Sequence, residues 1–263
     1  MIVQGKVALI TGGATGLGRA TGQALARLGC NVAVNHLAAT REDAAQAVDE
    51  LIALGVAACA IEADVTDSDA CRRMAAATLS QMGRLDILIN CAGVTRFIPH
   101  AALDDVRDED WDFILDVNVK GTFHAARACR AALAAQGGVI INVASTAGIS
   151  AAGSSIPYAV SKAGVITLTT ALARVMAPAI RVNAVAPGFI EGRWMRDGLA
   201  EKYAASCESF ASVSALGRVC QPADVADAIV SLIIGSEMVT GQTLICDGGA
   251  LLADPASQNV RGQ

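Results

Sequence analysis

The sequence predicts a single α/β domain in which a doubly wound parallel sheet of about seven strands is covered by helices on both faces. Three observations predict this fold. Short apolar runs alternate with longer helical patterns along the chain of 263 residues. The apolar runs lack the polar alternation of half-exposed strands, so both faces of the sheet should be covered. No Pro/Ser-rich linker or block of charge divides the chain, which predicts one domain over residues 1–263.

The elements follow in a regular order along the chain. Short aliphatic runs predict strands at residues 7–10, 32–34, 57–61, 85–89, 139–143, 181–185 and 243–246. Helical spacing of apolar residues predicts helices at residues 16–28, 41–54, 67–81, 108–135, 158–176 and 222–234. The least regular stretch precedes the last helix, and we expect an excursion at about 189–215 that covers the substrate.

The composition argues against several other classes of protein. Acidic residues outnumber basic ones by 25 to 20 without a basic stripe, which argues against a nucleic-acid partner. The eight cysteines include no CxxC pair and are expected to be buried apolar side chains rather than metal ligands or disulfides. The amino terminus lacks a signal-peptide pattern, and the uncharged stretch 131–161 is too rich in polar residues and glycine for a membrane span. We expect a cytoplasmic protein with no membrane segment.

A glycine-rich segment connects the first predicted strand to the first predicted helix. It reads Thr11-Gly12-Gly13-Ala14-Thr15-Gly16-Leu17-Gly18. Glycines permit a tight turn that lets the backbone approach a diphosphate, and a helix N-terminus offers free N–H groups and partial positive charge. Alone, such a segment can be a simple connector. Its place at the first strand-to-helix turn favours a dinucleotide-binding loop.

This loop resembles the TGxxxGxG motif of the short-chain dehydrogenase/reductase family, whose further motifs follow in order. They are Asp64-Val65, Asn90-Cys91-Ala92-Gly93, Asn118, Ser145, Tyr158-x-x-x-Lys162 and Pro187-Gly188. The resemblance covers nearly the whole chain and implies a Rossmann fold and an NAD(P)(H)-dependent oxidoreductase acting on a carbonyl/alcohol pair. It implies cofactor contacts at Gly12, Thr15, Gly16, Leu17, Gly18, Asp64, Val65, Asn90, Ala92, Gly93, Tyr158, Lys162, Pro187, Gly188 and Ile190.

Tyr158 and Lys162 are four residues apart, so both side chains project from one face of a helix. An ammonium group near the phenol favours the phenolate, and we expect it to lower the tyrosine pKa from about 10. Such a pair is usually part of a solvated helix face, and only its place after Ser145 overturns that interpretation.

The resemblance implies a role for each residue of this group. It assigns Tyr158 to acid/base catalysis, Ser145 to the substrate oxygen, and Lys162 to the ribose and to tuning of the tyrosine. It assigns Asn118 to a water molecule that carries protons from Lys162. A helix-interior amide that satisfies backbone groups is the alternative for Asn118.

The end of the second predicted strand bears on the choice of cofactor. An acidic side chain there would bind the adenosine ribose and repel a 2′-phosphate, but the sequence has His36 at that place. Asn35, His36 and Arg41 are candidates to receive the phosphate, although the neutral Thr15 offers no charge. We therefore expect NADP(H) to be preferred over NAD(H). His36 is equally compatible with an ordinary surface role.

The resemblance further implies a small-molecule carbonyl or alcohol as substrate and a homotetramer as the assembly. A 3-oxoacyl-carrier-protein reductase is a specific alternative, although the helix before the fifth strand ends without the basic residues that would receive an acidic carrier. A catalytically silent nucleotide-binding regulator would not explain an intact Ser145, Tyr158 and Lys162. A nucleotide-sugar epimerase would need additional C-terminal sequence, and an enoyl reductase a wider spacing from tyrosine to lysine.

Overall fold

The computed structural model describes residues 1–252 and contains the predicted parallel sheet. Its strand order is β3-β2-β1-β4-β5-β6-β7, with every neighbouring pair parallel. The strands are β1 Val7–Thr11, β2 Asn31–His36, β3 Ala58–Glu62, β4 Ile87–Asn90, β5 Val139–Val143, β6 Arg181–Pro187 and β7 Thr243–Cys246. Sequential order reverses between β1 and β4, and such a switch point opens a crevice at the carboxyl ends of the strands.

The helices lie on both faces of this sheet. They are α1 Gly16–Arg27, α2 Arg41–Ala53, α3 Ser68–Met82, α4 Asp108–Leu115, α5 Thr122–Ala134, α6 Ala147–Ser150, α7 Ile156–Met176, α8 Arg193–Leu199, α9 Tyr203–Val213 and α10 Pro222–Ile234. One apolar cluster packs α1, α2 and α10 against the sheet, and a second packs α3, α5 and α7 against the opposite face. Along β1, Ala8 and Ile10 enter the first cluster and Leu9 the second, as expected for a strand covered on both faces.

β5 and β7 have the predicted bounds, and the ends of the other strands differ from the prediction by at most two residues. β2 extends through the polar pair Asn35 and His36, which pair in register with Ile61 and Glu62 of β3. Both side chains are nevertheless buried. These polar residues at the end of an apolar run are still part of the strand because their backbones pair with β3, and the Asn35 side chain also donates to the Ile61 carbonyl there.

The helix predicted over residues 108–135 is present over residues 108–134, but it is not α-helical throughout. A wider π-helical turn at Asp116–Gly121 separates α4 from α5. Two contacts explain the interruption. The Asn118 amide is drawn towards the loop after β4, and Gly121 lies so close to Val65 that a β-carbon would approach Val65 Cγ2 within 2.7 Å. Such turns often occur at functional sites.

α7 begins two residues before the predicted start. Ser155 caps it by accepting a hydrogen bond from the Tyr158 N–H at 3.3 Å, and Pro157 occupies its first turn, where proline is tolerated. By length and hydropathy alone, this helix of 21 residues is a candidate membrane span. Its core-facing side packs on the sheet and buries the charged Lys162, as in a central helix of a folded domain.

The predicted excursion at about 189–215 contains α8 and α9. A bridge between Ile190 and Cys220 closes its base: the Cys220 N–H donates to the Phe189 carbonyl, and the Glu191 N–H donates to the Cys220 carbonyl. We call residues 189–219 the lid. The cysteines are unpaired thiols, of which Cys30, Cys71, Cys129 and Cys220 are buried and the others partly buried. Within residues 1–252, no cluster of three or more His, Cys, Asp or Glu residues has the arrangement of a metal site.

Candidate active site

The glycine-rich loop lies at the carboxyl end of β1 and requires its glycines for steric reasons. Gly12 adopts a φ of +63°, which favours glycine, and a β-carbon there would lie 3.0 Å from the backbone of Ala92. At Gly18, a β-carbon would come within 2.3 Å of the Gly12 carbonyl oxygen. The start of α1 is thereby packed tightly under the loop.

The outer surface of the same loop is open. Gly16 is exposed with a φ of +51°, and a β-carbon placed on it would meet no atom within 4 Å. Thr15, the N-cap residue of α1, forms no side-chain capping hydrogen bond, and Leu17 begins the helix beside it. The Asn90 Oδ1 atom, buried at the end of β4, has no hydrogen-bond partner in the described residues. This cradle fits a dinucleotide diphosphate at the N-terminus of α1.

Asn35 braces the loop rather than facing the crevice. Its Oδ1 accepts from the Gly12 N–H at 3.2 Å, and its Nδ2 donates to the carbonyls of Ile61 and Ala63. With these bonds made and the residue only 2% exposed, the amide is not free to receive a phosphate, contrary to the sequence-based expectation. In the sequence, Asn35 looks like a polar residue at the surface, so this structural role could not be predicted.

His36 and Arg41 also have partners in the structure. His36 is buried, and its Nδ1 lies 2.9 Å from the Leu37 carbonyl oxygen. The Arg41 guanidinium donates to Glu62 at 2.7 Å, although both side chains are exposed. Because an exposed ion pair is weak, Arg41 is free to exchange its partner, and it remains the most accessible cation near the end of β2.

Several of the predicted cofactor residues contribute backbone groups or packing contacts to the site. Asp64 is exposed and accepts hydrogen bonds from the N–H and hydroxyl of Thr66, while Val65 is buried beneath it. The N–H groups of Cys91 and Ala92 donate to Thr11 Oγ1, which places Ala92 and Gly93 beside the glycine-rich loop. Pro187 is the last residue of β6, Gly188 follows it, and Ile190 forms the bridge at the lid base. At Gly188, a β-carbon would lie 2.9 Å from Asp247 Cβ.

Ser145, Tyr158 and Lys162 meet between β5 and α7. The Ser145 side chain lies close enough to the Tyr158 phenol to favour its deprotonated form. Ser145 Oγ also accepts from the Ala147 N–H at 3.1 Å, which fixes its direction. The Lys162 ammonium lies 5.6 Å from the centre of the Tyr158 ring. The structure therefore brings these three predicted residues together on one side of the crevice.

The protonation of this group differs from the sequence-based expectation. Burial raises the pKa of Tyr158 to about 12, and the hydrogen bond with Ser145 opposes the rise. Burial also lowers the pKa of Lys162 to about 8. The Lys162 Nζ is directed to the Val143 carbonyl oxygen at 2.8 Å, and desolvation of the phenol outweighs any effect of the lysine. The expected lowering of the tyrosine pKa by Lys162 is therefore wrong for this state of the protein.

Asn118 lies in the π-helical turn with its side chain fully engaged. Its Oδ1 accepts from the Val94 N–H at 2.8 Å, and its Nδ2 donates to the Val94 carbonyl and to Ser161 Oγ. The alternative considered from sequence, an amide that satisfies backbone groups, describes these bonds. Asn118 still lies near Lys162, because a β-carbon on Gly93 would approach Asn118 Oδ1 within 3.4 Å and Lys162 Nζ within 3.6 Å.

Trp194 is the contact that sequence reasoning missed. In the sequence it is only one of several aromatic residues of the lid. In the structure its ring meets the Tyr158 ring edge-on at a centroid distance of 6.4 Å. Its Cη2 atom would lie 3.8 Å from a β-carbon on Gly93. No spacing in the sequence relates residue 194 to residue 93 or 158, since the lid brings them together.

The chain is similar to several known proteins over nearly its whole length. A family model described as enoyl-(acyl carrier protein) reductase matches residues 12–250. A protein of Streptomyces violaceoruber, named as ketoacyl reductase 2 of granaticin polyketide synthase, is 41% identical over 250 residues, covering 95% of this chain and 97% of its own. FabG of Staphylococcus aureus, named 3-oxoacyl-[acyl-carrier-protein] reductase, is 38% identical over 247 residues, covering 93% of this chain and 97% of its own.

Two solved structures have the same fold. One from Burkholderia xenovorans, described as a short-chain dehydrogenase/reductase, has a TM-score of 0.87 at 35% identity and covers 94% of this chain and 98% of its own. NAD⁺-bound xylitol dehydrogenase has a TM-score of 0.86 at 28% identity, covering 95% of this chain and all of its own. The chain therefore belongs to the short-chain dehydrogenase/reductase family and is an oxidoreductase.

Proposed function

We propose that the protein reduces a ketone to an alcohol with a nicotinamide dinucleotide, using Tyr158 as the proton donor. The grouping of Ser145 and Tyr158 on one side of the crevice, with the Lys162 ammonium 5.6 Å from the centre of the tyrosine ring, carries the proposal. Residues 12–18 would hold the diphosphate, and the bound dinucleotide would supply the hydride at its nicotinamide ring. The remaining chemistry belongs to side chains of this chain.

Each of the three side chains has a defined task. The Ser145 hydroxyl orients the carbonyl oxygen by donating a hydrogen bond to it, and that bond strengthens as negative charge develops there. Tyr158 donates its proton to this oxygen, and a raised pKa keeps the phenol protonated at neutral pH. Lys162 stabilises the phenolate that forms, and its own lowered pKa suits it to pass a proton on.

The end of β2 favours NADP(H) over NAD(H). Neither His36 nor its neighbours Asn35 and Leu37 places a carboxylate at the end of the strand, and Arg41 is exposed nearby. We expect His36→Asp to weaken NADPH binding at least about tenfold and to weaken NADH binding less, because the new carboxylate repels a 2′-phosphate. Isothermal titration with both cofactors measures this change. His36→Asn is the matched control, since it removes the ring without adding charge; equal losses for both cofactors in His36→Asp would contradict the preference.

The substrate proposal is a small ketone, with a 3-oxoacyl thioester as the specific alternative. Two relatives are named as reductases of ketoacyl or 3-oxoacyl groups, which favours a β-keto compound. The spacing of Tyr158 and Lys162 favours a carbonyl over the enoyl group that the family model's description mentions. We further propose a cytoplasmic homotetramer. Ile234 on α10 and Leu244 and Ile245 on β7 are exposed apolar residues suited to an interface between copies of the chain.

A cofactor-oxidation assay tests the function directly. NADPH and NADH are each offered with simple ketones, β-keto esters and 3-oxoacyl thioesters, and absorbance at the nicotinamide band is followed. Ser145→Ala is run in parallel and should lower turnover by about 10²-fold through loss of one oxyanion donor. Absence of turnover with every carbonyl, in protein that binds the cofactor, would favour the catalytically silent alternative.

A further inference from the structure

Trp194 is 44% exposed, and its indole lies against the crevice on the side of the catalytic residues. Its ring contacts Tyr158, and its Cη2 atom reaches the space over Gly93. The Lys162 ammonium and the Asn118 side chain border that same space. The proposed function requires the nicotinamide ribose to lie beside Lys162. Trp194 and the bound cofactor would then occupy the same space.

The neighbouring residue Arg193 reaches the other end of the crevice. Its guanidinium lies 3.2 Å from the Asp43 carboxylate in the first turn of α2. Arg193 and Asp43, with Ala38 and Arg41, line an open cavity next to the end of β2. Two consecutive residues at the start of α8 therefore contact both ends of the dinucleotide crevice, one at the adenosine side and one at the catalytic side.

The backbone at both ends of α8 is suited to movement. Gly192, just before the helix, has a φ of +154° and free space around its α-carbon. Ala200, just after it, has a φ of +47°, a conformation that a residue with a β-carbon rarely adopts. Hinges are a few residues in loops or at the ends of elements that absorb φ/ψ changes, and Gly192 and Ala200 hold such positions around α8. α8 can therefore be repositioned while the Ile190–Cys220 bridge holds the base of the lid.

We propose that Trp194 is an affinity-determining residue for the cofactor, because it occupies the nicotinamide end of the crevice and must leave when the dinucleotide binds. This inference rests on the proposed function, since it takes the crevice between Gly93 and Lys162 as the nicotinamide site. Arg193 and Asp43 contribute by holding the start of α8 in the occupying position.

The proposal predicts an effect opposite to that of an ordinary contact residue. When only a fraction of molecules has an open site, the apparent Kd equals the intrinsic Kd divided by that fraction. Removing the occupant raises the open fraction and tightens binding. Removing a residue that contacts the cofactor would instead weaken binding.

The first test measures NADP⁺ and NAD⁺ affinity by isothermal titration of the full chain. Trp194→Ala should lower the Kd of the preferred cofactor by about three- to tenfold, which corresponds to an open fraction of roughly a tenth to a third in the wild type. Asp43→Asn should lower it about twofold, since the exposed ion pair is weak. Trp111→Phe, which changes the other tryptophan of the chain on α4, is the control and should leave the Kd unchanged. An unchanged or higher Kd for Trp194→Ala overturns the proposal.

The second test follows the position of the indole itself. In Trp111→Phe, Trp194 is the sole tryptophan, and saturating NADP⁺ should shift its emission to longer wavelength and increase its quenching by acrylamide. Emission that stays unchanged or becomes better shielded overturns the displacement. Failure of the proposed function and failure of this inference give different results. Wild-type protein that binds neither cofactor refutes the proposed function, whereas wild-type protein that binds, with Trp194→Ala no tighter, refutes this inference alone.

Discussion

Replacing Tyr158 by phenylalanine should lower the turnover number by about 10³- to 10⁴-fold while leaving cofactor affinity nearly intact. The change removes only the hydroxyl that would donate a proton to the substrate oxygen. The ring, its edge contact with Trp194 and the cap of α7 by Ser155 do not depend on that oxygen. The loss should therefore appear in kcat, with little change in the Kd of NADPH or NADH.

Steady-state assays and isothermal titration on the same preparation measure both quantities. Thermal unfolding is the structural control, and the melting temperature should stay close to that of the wild type. A Tyr158→Phe variant that retains more than about a tenth of wild-type turnover would remove the tyrosine from the chemistry, since a proton donor contributes at least about 10²-fold. A large loss of cofactor affinity without loss of kcat would indicate a binding role instead.

The fold was predictable because its determinants are local and repeated. Alternating strand and helix patterns specify a parallel sheet without reference to distant residues, and the structure confirms all seven strands. The π-helical turn inside the helix predicted over 108–135 could not be predicted, for the opposite reason. The π-helical turn there depends on contacts of Asn118 with Val94 and of Gly121 with Val65, which are remote in sequence.

The membership of the catalytic group was predictable, but its electrostatics were not. The sequence spacing places Tyr158 and Lys162 on one helix face, and the structure brings both to Ser145. The sign of the tyrosine pKa shift depends on how much protein surrounds the phenol and on the turn of the ammonium towards Val143. Neither the burial of the phenol nor the direction of the ammonium can be read from a sequence pattern. The same holds for Asn35, whose amide is consumed by backbone groups of the glycine-rich loop and β3.

Replacing Lys162 by methionine should abolish most activity and yet stabilise the unliganded protein. Lys162 is 4% exposed, and burial lowers its pKa from 10.5 to about 8. That difference corresponds to about 3 kcal/mol against the charged form. The Val143 carbonyl would lose its donor at a cost of about 1–2 kcal/mol, so the net gain in free energy of unfolding at pH 7 should be about 1–2 kcal/mol. A charged group that serves function in an apolar environment commonly lowers the stability of the folded protein in this way.

The pH dependence of stability identifies the charge as the cause. Between pH 8 and pH 10.5 the unfolded wild type retains the Lys162 proton that the folded protein has lost, so this group makes wild-type stability rise with pH. The methionine variant lacks that contribution, so its advantage at pH 7 should vanish and then reverse, a total change of about 3 kcal/mol across the window. Urea unfolding of both proteins at pH 7, 9 and 10.5 measures the difference. Lys120→Met, at an exposed lysine, should show no comparable trend, and a stability gap that stays constant with pH would mean that Lys162 is not strained by its burial.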